Sequence, residues 1–211
     1  LCFLDEHHVR DGRLENLDVL LVAGGDTFDL AEGLGREGAR ELADFVTGGG
    51  CYIGSCAGAY LMLRSSKQQV NLFNYVRVKI KNHVNECPSM KGAAATYARY
   101  RCADIFHPVR DEVVVRSKGI DPFGGDEDIV APLFGGPVMI PDGDASTLAT
   151  YSGFTRKTIF LVDQDRARDM VLNNSAAVRK EYGAGSIYLF GPHFEHPHYR
   201  AANRVITDIV R

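Results

Sequence analysis

The sequence predicts an α/β fold built on a doubly wound, mainly parallel sheet. The run DVLLVA (18–23) is continuously apolar and CYIGS (51–55) is a second short β-favouring run, which is typical of strands buried on both faces. Between them, residues 36–46 place apolar side chains at helical spacing, and the glycines at 48–50 end that helix. A strand, a helix and a parallel strand in this order predict a right-handed crossover with the helix over one face.

The later elements are predicted from the same patterns. Alternation over 75–84 and the run EVVVRS (112–117) predict strands in a loop-rich, partly antiparallel excursion at about 66–145. After it, STLATYSG, TIFLVD, AAVRKEY and GSIYLFG predict strands, and 198–211 predicts a closing amphipathic helix. We therefore expect one domain over residues 1–211, with helices on both faces of the sheet.

The beginning of the chain does not follow this pattern. A sheet of this type normally starts with a strand and a helix before DVLLVA, and residues 1–17 offer only CFL and a polar connector. The chain also opens without methionine. We expect the native protein to be longer at its N-terminus, with a strand missing here, or to begin unusually.

Composition argues against several classes of protein. A formal net charge of −3 and a pI near 6.2, with no basic cluster, argue against a nucleic-acid partner. No apolar run is long enough to span a membrane and no signal peptide is visible, so a cytoplasmic protein is expected. The five cysteines include no C-x-x-C pair, which argues against zinc-ribbon and thioredoxin-type sites. Free thiols in a reducing compartment are a simpler interpretation than one or two disulfides.

The segment YIGSCAGAYL (52–61) predicts a nucleophilic cysteine. Gly54 and Gly58 flank Cys56 with the spacing of a strained turn between a strand and a helix. The N-terminus of a helix favours the thiolate, which is the reactive form of cysteine. The alternative is a buried structural cysteine, which is how we interpret Cys51 inside the strand.

The stretch FGPHFEHPHY (190–199) predicts a base and an acid that orients it. His193 and Glu195 follow a predicted strand, at the edge where parallel sheets gather their active sites. Their spacing places both side chains on one side of an extended chain, where the carboxylate can fix the imidazole tautomer. With Cys56, they predict a catalytic triad. The alternative is a histidine that bonds the backbone at a strand end.

Two further features concern ligands. His196 and His198 extend the pattern to H-x-E-H-x-H, but the spacing is not that of a helical zinc site, so neither metal nor cofactor is expected. Acyl transfer needs two donors for the oxyanion. The amide of Ala57 follows the nucleophile, and the turn at Gly24 and Gly25 can bring a second amide.

Three motifs together resemble the class I glutamine amidotransferase-like superfamily: VLLVAGGD, YIGSCAGAYL and GPHFEH, which span residues 19–196. Within it, the sequence is most similar to the family resembling the N-terminal domain of eukaryotic biotin-protein ligases. The resemblance implies a flavodoxin-like sheet. It also implies that Cys56 is the nucleophile, His193 the base and Glu195 the acid, with the amides of Gly25 and Ala57 as the oxyanion hole.

The sequence departs from this family where Ala23 replaces a frequent proline. A more distant resemblance joins the elbow to the G-x-S-A-G of aspartyl dipeptidases, with Cys56 in place of serine.

Together these features predict a thiol-dependent amidohydrolase or glutamine amidotransferase-like enzyme. A small-molecule amide, with glutamine as one candidate, would form a thioester at Cys56 and then be hydrolysed. Alternatively, its ammonia would pass to a synthase or ligase partner. A different class of function is a non-catalytic, small-molecule-binding or regulatory module that keeps the fold. Other thiol chemistry, such as hydration or isomerisation, is a third alternative.

Overall fold

The computed structural model describes residues 1–81, 83, 107–125 and 127–211. Within these residues the chain forms ten strands and five α-helices. The helices are α1 (Glu6–Arg10), α2 (Thr27–Thr47), α3 (Ala57–Met62), α4 (Gln164–Val171) and α5 (Arg200–Val210). The strands are β1 (Val19–Val22), β2 (Cys51–Ser55), β3 (Val78–Ile80), β4 (Val109–Ser117), β5 (Asp128–Leu133), β6 (Met139–Pro141), β7 (Ser146–Phe154), β8 (Ile159–Phe160), β9 (Ser175–Tyr182) and β10 (Gly185–Phe190).

The strands form one mixed sheet whose main path is β1-β2-β10-β9-β7-β4-β5. Strand β2 pairs in parallel with β1 and β10, and the pairings from β10 through to β5 are antiparallel. Strand β3 pairs with β6, β6 meets β9, and β8 adds to β4.

The predicted α/β class is confirmed, but the prediction of a mainly parallel sheet is wrong. The flavodoxin-like, doubly wound arrangement is not confirmed. The reason is the connection between β9 and β10, where only Gly183 and Ala184 link the two strands. A two-residue link makes a hairpin, and a hairpin forces antiparallel pairing, whereas parallel pairing needs a long crossover. Gly183 takes a φ of +65°, which the tight turn requires.

The segment predicted as an excursion contributes strands to the same sheet. Strands β4 and β5 form one end of the main path, and their pairing is antiparallel, as predicted for this segment. Within the alternation predicted over 75–84, β3 covers Val78–Ile80. Residues 82, 84–106 and 126, which all fall within that predicted excursion, lie outside the described part of the chain.

Helices pack against both faces of the sheet, as expected. Along β10, Ile187 and Leu189 belong to one apolar core, shared with α2 and α3. The alternating residues Tyr188 and Phe190 belong to a second core, shared with α4 and α5. Side chains of a strand point to opposite faces in turn, so the two cores lie on opposite sides of the sheet.

Local signals explain most helix boundaries. The Asp26 side chain accepts hydrogen bonds from the amides of Phe28 and Asp29 and so caps α2, which begins well before the predicted residue 36. The backbone of α2 breaks at Gly35, where φ is +56°. Helix α4 is absent from the sequence-based prediction. No helix in the described residues combines the length and the apolar character needed to cross a bilayer.

Candidate active site

Cys56 lies in the sharp turn between β2 and α3. Its φ of 52° and ψ of −108° are unusual for a residue with a side chain. Its amide donates a hydrogen bond to the Phe190 carbonyl at 3.0 Å, which ties the turn to the end of β10. The cysteine is free and partly exposed. The residue therefore occupies a strained, accessible position at the carboxyl end of a central strand.

The glycines around Cys56 allow three backbone segments to meet. A Cβ on Gly58 would overlap the carbonyl oxygen of Val22 at the end of β1, and a Cβ on Gly54 would overlap the carbonyl of Gly58. The Tyr52 hydroxyl donates to the Gly58 carbonyl at 2.8 Å and holds the start of α3 over β2. The G-x-C-x-G spacing therefore reflects close packing at this junction.

His193 and Glu195 lie together in the segment that follows β10. His193 Nδ1 and Glu195 Oε1 are 2.8 Å apart, and the two side chains are 14% and 19% exposed. The His193 amide also donates to the Pro132 carbonyl at 2.8 Å, which anchors this segment to the end of β5. With Nδ1 bonded to the carboxylate, Nε2 is the ring nitrogen that remains for proton exchange.

Electrostatic interactions connect His193 to Glu195 and to Cys56. Burial alone lowers the pKa of His193, but hydrogen bonding to Cys56 and to Glu195 outweighs it and raises the pKa to about 9. Burial raises the pKa of Glu195, but hydrogen bonding to His193 and then to Ser55 lowers it below its usual value. The imidazole is therefore cationic and the carboxylate anionic at neutral pH, and the structure brings all three predicted triad residues together.

The turn after β1 lies against the His193 ring. A Cβ on Gly24 would overlap Cε1 of His193, so the ring occupies space that any other residue would fill. Gly25 has a φ of +155°, and no atom lies within 4 Å of the position that its Cβ would take. Among the described residues, the amides of Gly25 and Ala57 have no hydrogen-bond acceptor. Both predicted oxyanion-hole donors are thus unpaired.

The aromatic side chain that lies beside His193 was not predicted from the sequence. The ring of Phe134, which follows β5, lies 5.4 Å from the His193 ring and is 47% exposed. The Tyr60 hydroxyl, on α3, donates to the Gly135 carbonyl at 3.1 Å and fixes the loop that carries Phe134. Only the glycine pair in FGG (134–136) marked a turn here, and nothing in it indicated the contact with His193.

The alternative of a metal site has no matching geometry in the described part of the chain. There, no group of three or more His, Cys, Asp or Glu side chains is placed to hold a metal ion. The rings of His196 and His198 pack against each other at 5.4 Å, and His196 also contacts the Tyr199 ring at 5.3 Å.

Sequence comparisons point to peptidases. The model of peptidase family S51 matches residues 4–82, which include Cys56 but neither His193 nor Glu195. The uncharacterised peptidase Lmo0363 of Listeria monocytogenes is 27% identical over 122 residues, which cover 51% of this chain and 60% of that protein. These matches favour a hydrolase and agree with the resemblance to aspartyl dipeptidases. They do not confirm the similarity to biotin-protein ligase domains.

Comparisons with solved structures concern the fold alone. A ThuA-like protein from Bacteroides uniformis aligns with a TM-score of 0.52 at 12% identity, over 99% of this chain and 74% of that one. The β-galactosidase of Bacillus circulans sp. alkalophilus aligns with a TM-score of 0.51 at 11% identity, over 99% of this chain and 27% of that one. The mixed α/β arrangement therefore also occurs within larger proteins.

Proposed function

We propose that this chain is a hydrolase that cleaves an amide bond through a thioester at Cys56. The observation that carries the proposal is the strained, partly exposed Cys56 next to a histidine whose other nitrogen is 2.8 Å from Glu195. The match of residues 4–82 to a peptidase family supports an amide substrate. A short peptide or a small glutamine-like amide suits this chemistry, with water as the acyl acceptor.

The proposed roles rest on the strained position of Cys56, the contact of His193 with Glu195 and the unpaired backbone amides. The sulfur of Cys56, in its thiolate form beside the protonated imidazole of His193, attacks the amide carbon to form a tetrahedral oxyanion. The unpaired amides of Gly25 and Ala57 are the proposed donors to that oxyanion. His193 then gives its proton to the leaving nitrogen, the C–N bond breaks, and a thioester remains on Cys56. Neutral His193 then takes a proton from water, the resulting hydroxide hydrolyses the thioester, and the acid product leaves the thiolate beside the protonated imidazole.

Glu195 is proposed to act through His193 rather than on the substrate. Its bond to Nδ1 holds the imidazole in one tautomer and stabilises the cation that forms during the reaction. The cationic imidazole, in turn, stabilises negative charge on a neighbouring sulfur.

Pulse labelling with iodoacetamide between pH 6 and 9, read by peptide mass spectrometry, tests the proposal. We expect Cys56 to react selectively at pH 7, and we expect His193→Ala to abolish that selectivity. Cys51 is the internal control, since burial raises the pKa of its thiol. Labelling of Cys56 no faster than Cys51 would contradict the proposal and favour the non-catalytic binding module.

Turnover is tested in parallel by release of amine or ammonia from glutamine and a panel of short peptides. Cys56→Ser should fold normally and lose about 10⁴-fold or more in rate, because a serine hydroxyl is far less acidic than a thiol. Cys51→Ser is the matched control and should retain the rate. Full activity in Cys56→Ser would show that the thiol is not required.

A further inference from the structure

One oxygen of the Glu195 carboxylate has no partner. Oε1 is bonded to His193, whereas Oε2 is buried and has no hydrogen-bond partner among the described residues. An unpaired, buried oxygen of an ionised carboxylate is costly, because it loses its water and gains no donor in return. The ionised state of Glu195 on which His193 depends therefore calls for a further donor at Oε2.

An unpaired donor that acts on Glu195 lies in the residue before Cys56. Ser55 is 0% exposed, and its hydroxyl is also without a hydrogen-bond partner in the described part of the chain. Ser55 is the last residue of β2 and pairs with Phe190, the last residue of β10. The segment that carries Glu195 follows Phe190, so Ser55 lies at the end of the sheet where that segment begins. Two unpaired, complementary groups thus occupy one buried region.

The two side chains already influence each other. Burial raises the pKa of Glu195, and hydrogen bonding to two side chains lowers it. The larger of these two effects comes from His193 and the smaller from Ser55. In the structure the two atoms do not meet the geometry of a full hydrogen bond, since both remain unpaired. A small rotation about the Cα–Cβ bond of Ser55 moves its hydroxyl oxygen, and the hydroxyl hydrogen then turns freely towards the carboxylate to complete the contact.

We propose that Ser55 is a positioning residue whose hydroxyl donates a hydrogen bond to Glu195 Oε2 and so holds the carboxylate, ionised and correctly turned, against His193. Ser55 touches neither the substrate nor the reacting sulfur in this role. This role rests on the proposed function only in that His193 is taken as the base. The contact between Ser55 and Glu195 does not depend on turnover.

Titration of the His193 imidazole by NMR tests this role. In Ser55→Ala, the carboxylate loses a donor, its ionised form is less favoured, and His193 loses part of the charge that stabilises its cation. We expect the midpoint of His193 to fall by about one pH unit. Cys56 and Glu195 are the titratable groups that act on His193, so Cys56→Ala serves as a common background for all variants.

A double-mutant cycle separates positioning from a general structural effect. In Glu195→Gln, Ser55→Ala should cause no further change in the His193 midpoint, because the charge on which Ser55 acts is gone. Ser175→Ala is the matched control. That serine is buried on β9, and its hydroxyl lies 2.7 Å from the Thr147 hydroxyl. It should leave the midpoint unchanged, and thermal unfolding checks that each variant is folded.

The outcomes distinguish this inference from the proposed function. An unchanged midpoint in Ser55→Ala, or an equal shift in the Glu195→Gln background, overturns the positioning role even if Cys56 proves reactive. A shift that depends on Glu195 supports it even if no amide is hydrolysed.

Discussion

The parallel and antiparallel regions of the sheet contribute differently to the site. Strands β1, β2 and β10 are four to six residues long, and the segments after β2 and β10 carry the proposed nucleophile and base. Strands β4 and β7 reach nine residues and carry no proposed reacting group. The difference shows that the proposed nucleophile and base lie where parallel strands end, since the carboxyl ends of such strands meet at one edge of the sheet.

The antiparallel region nevertheless helps to position His193, the proposed base. Strand β10 is parallel to β2 on one side and antiparallel to β9 on the other, so both regions fix it. From the end of β5, the Pro132 carbonyl accepts from the His193 amide and Phe134 contacts the ring. The parallel region therefore carries the proposed reacting groups, and contacts from the antiparallel region support them.

Glycine substitutions should have the largest effect on stability, and that effect should differ most between the parallel and the antiparallel region. In Gly58→Ala, the new Cβ would overlap the backbone of Val22, which cannot move without disturbing β1. We expect a loss of about 4 kcal/mol in the free energy of unfolding, measured by urea denaturation. In the antiparallel region, a Cβ on Gly153 would lie 3.6 Å from Val114, which is ordinary contact. Gly153→Ala should change stability by less than about 1 kcal/mol, and equal losses would contradict this contrast.

The two regions should also depend on pH in opposite directions. The pKa of His193 rises from 6.5 to about 9 on folding. The stabilisation of the folded state by His193 is therefore fully present below pH 6.5 and is lost as the pH rises towards 9. That contribution is on the order of 3 kcal/mol. His193→Gln should therefore be less stable than the wild type at pH 6 and similar to it above pH 9, in urea titrations.

Glu112 in β4 provides the opposite case. Burial raises the pKa of Glu112, but hydrogen bonds to Lys157, Tyr199 and Thr155 outweigh it and lower the pKa below 4.5. The stabilisation of the folded state by Glu112 is therefore present above pH 4.5 and is lost as the pH falls through the folded-state pKa. Glu112→Gln should therefore be less stable than the wild type at pH 7 in urea titrations, and the two stabilities should converge in acid. Stability curves that run parallel for either variant would contradict the assignment.

A substitution at Gly24 should impair the site without unfolding the protein. The added methyl group of Gly24→Ala would displace the His193 ring, which is a side chain and can move. Misplacing a base by about 1 Å costs roughly 100-fold in rate, so labelling of Cys56 and turnover should both fall by about that factor. Gly125→Ala is the control, because no atom lies near its Cβ position. Unchanged labelling in Gly24→Ala would argue against His193 as the base.

Phe134→Ala should have the smallest effect on stability. The side chain is 47% exposed, so we expect a change of about 0.5 kcal/mol or less. If Phe134 forms an apolar wall for the substrate, N-benzyl iodoacetamide should label Cys56 faster than iodoacetamide. Phe134→Ala should reduce that ratio about fivefold. Ile159→Ala, at an apolar residue of similar exposure on β8, is the control, and an unchanged ratio in Phe134→Ala would remove Phe134 from the substrate site.

Local patterns are sufficient to name the candidate residues of the proposed site. The elbow around Cys56 and the H-x-E pair were predicted from spacing, because strained turns and same-side pairs are properties of a few consecutive residues. Long-range packing was not accessible in this way. The packing of the His193 ring against Gly24 and its contact with Phe134 join residues far apart in sequence, and no short motif records them.

The sequence by itself determined the α/β class, the position of most strands, and the identity of Cys56, His193 and Glu195 as candidates. Only the tertiary structure decided that the sheet is mixed and that Ser55 and Glu195 share a buried region. The physical reason is that strand propensity depends on local side chains, whereas pairing direction and burial depend on how the connections bring distant segments together.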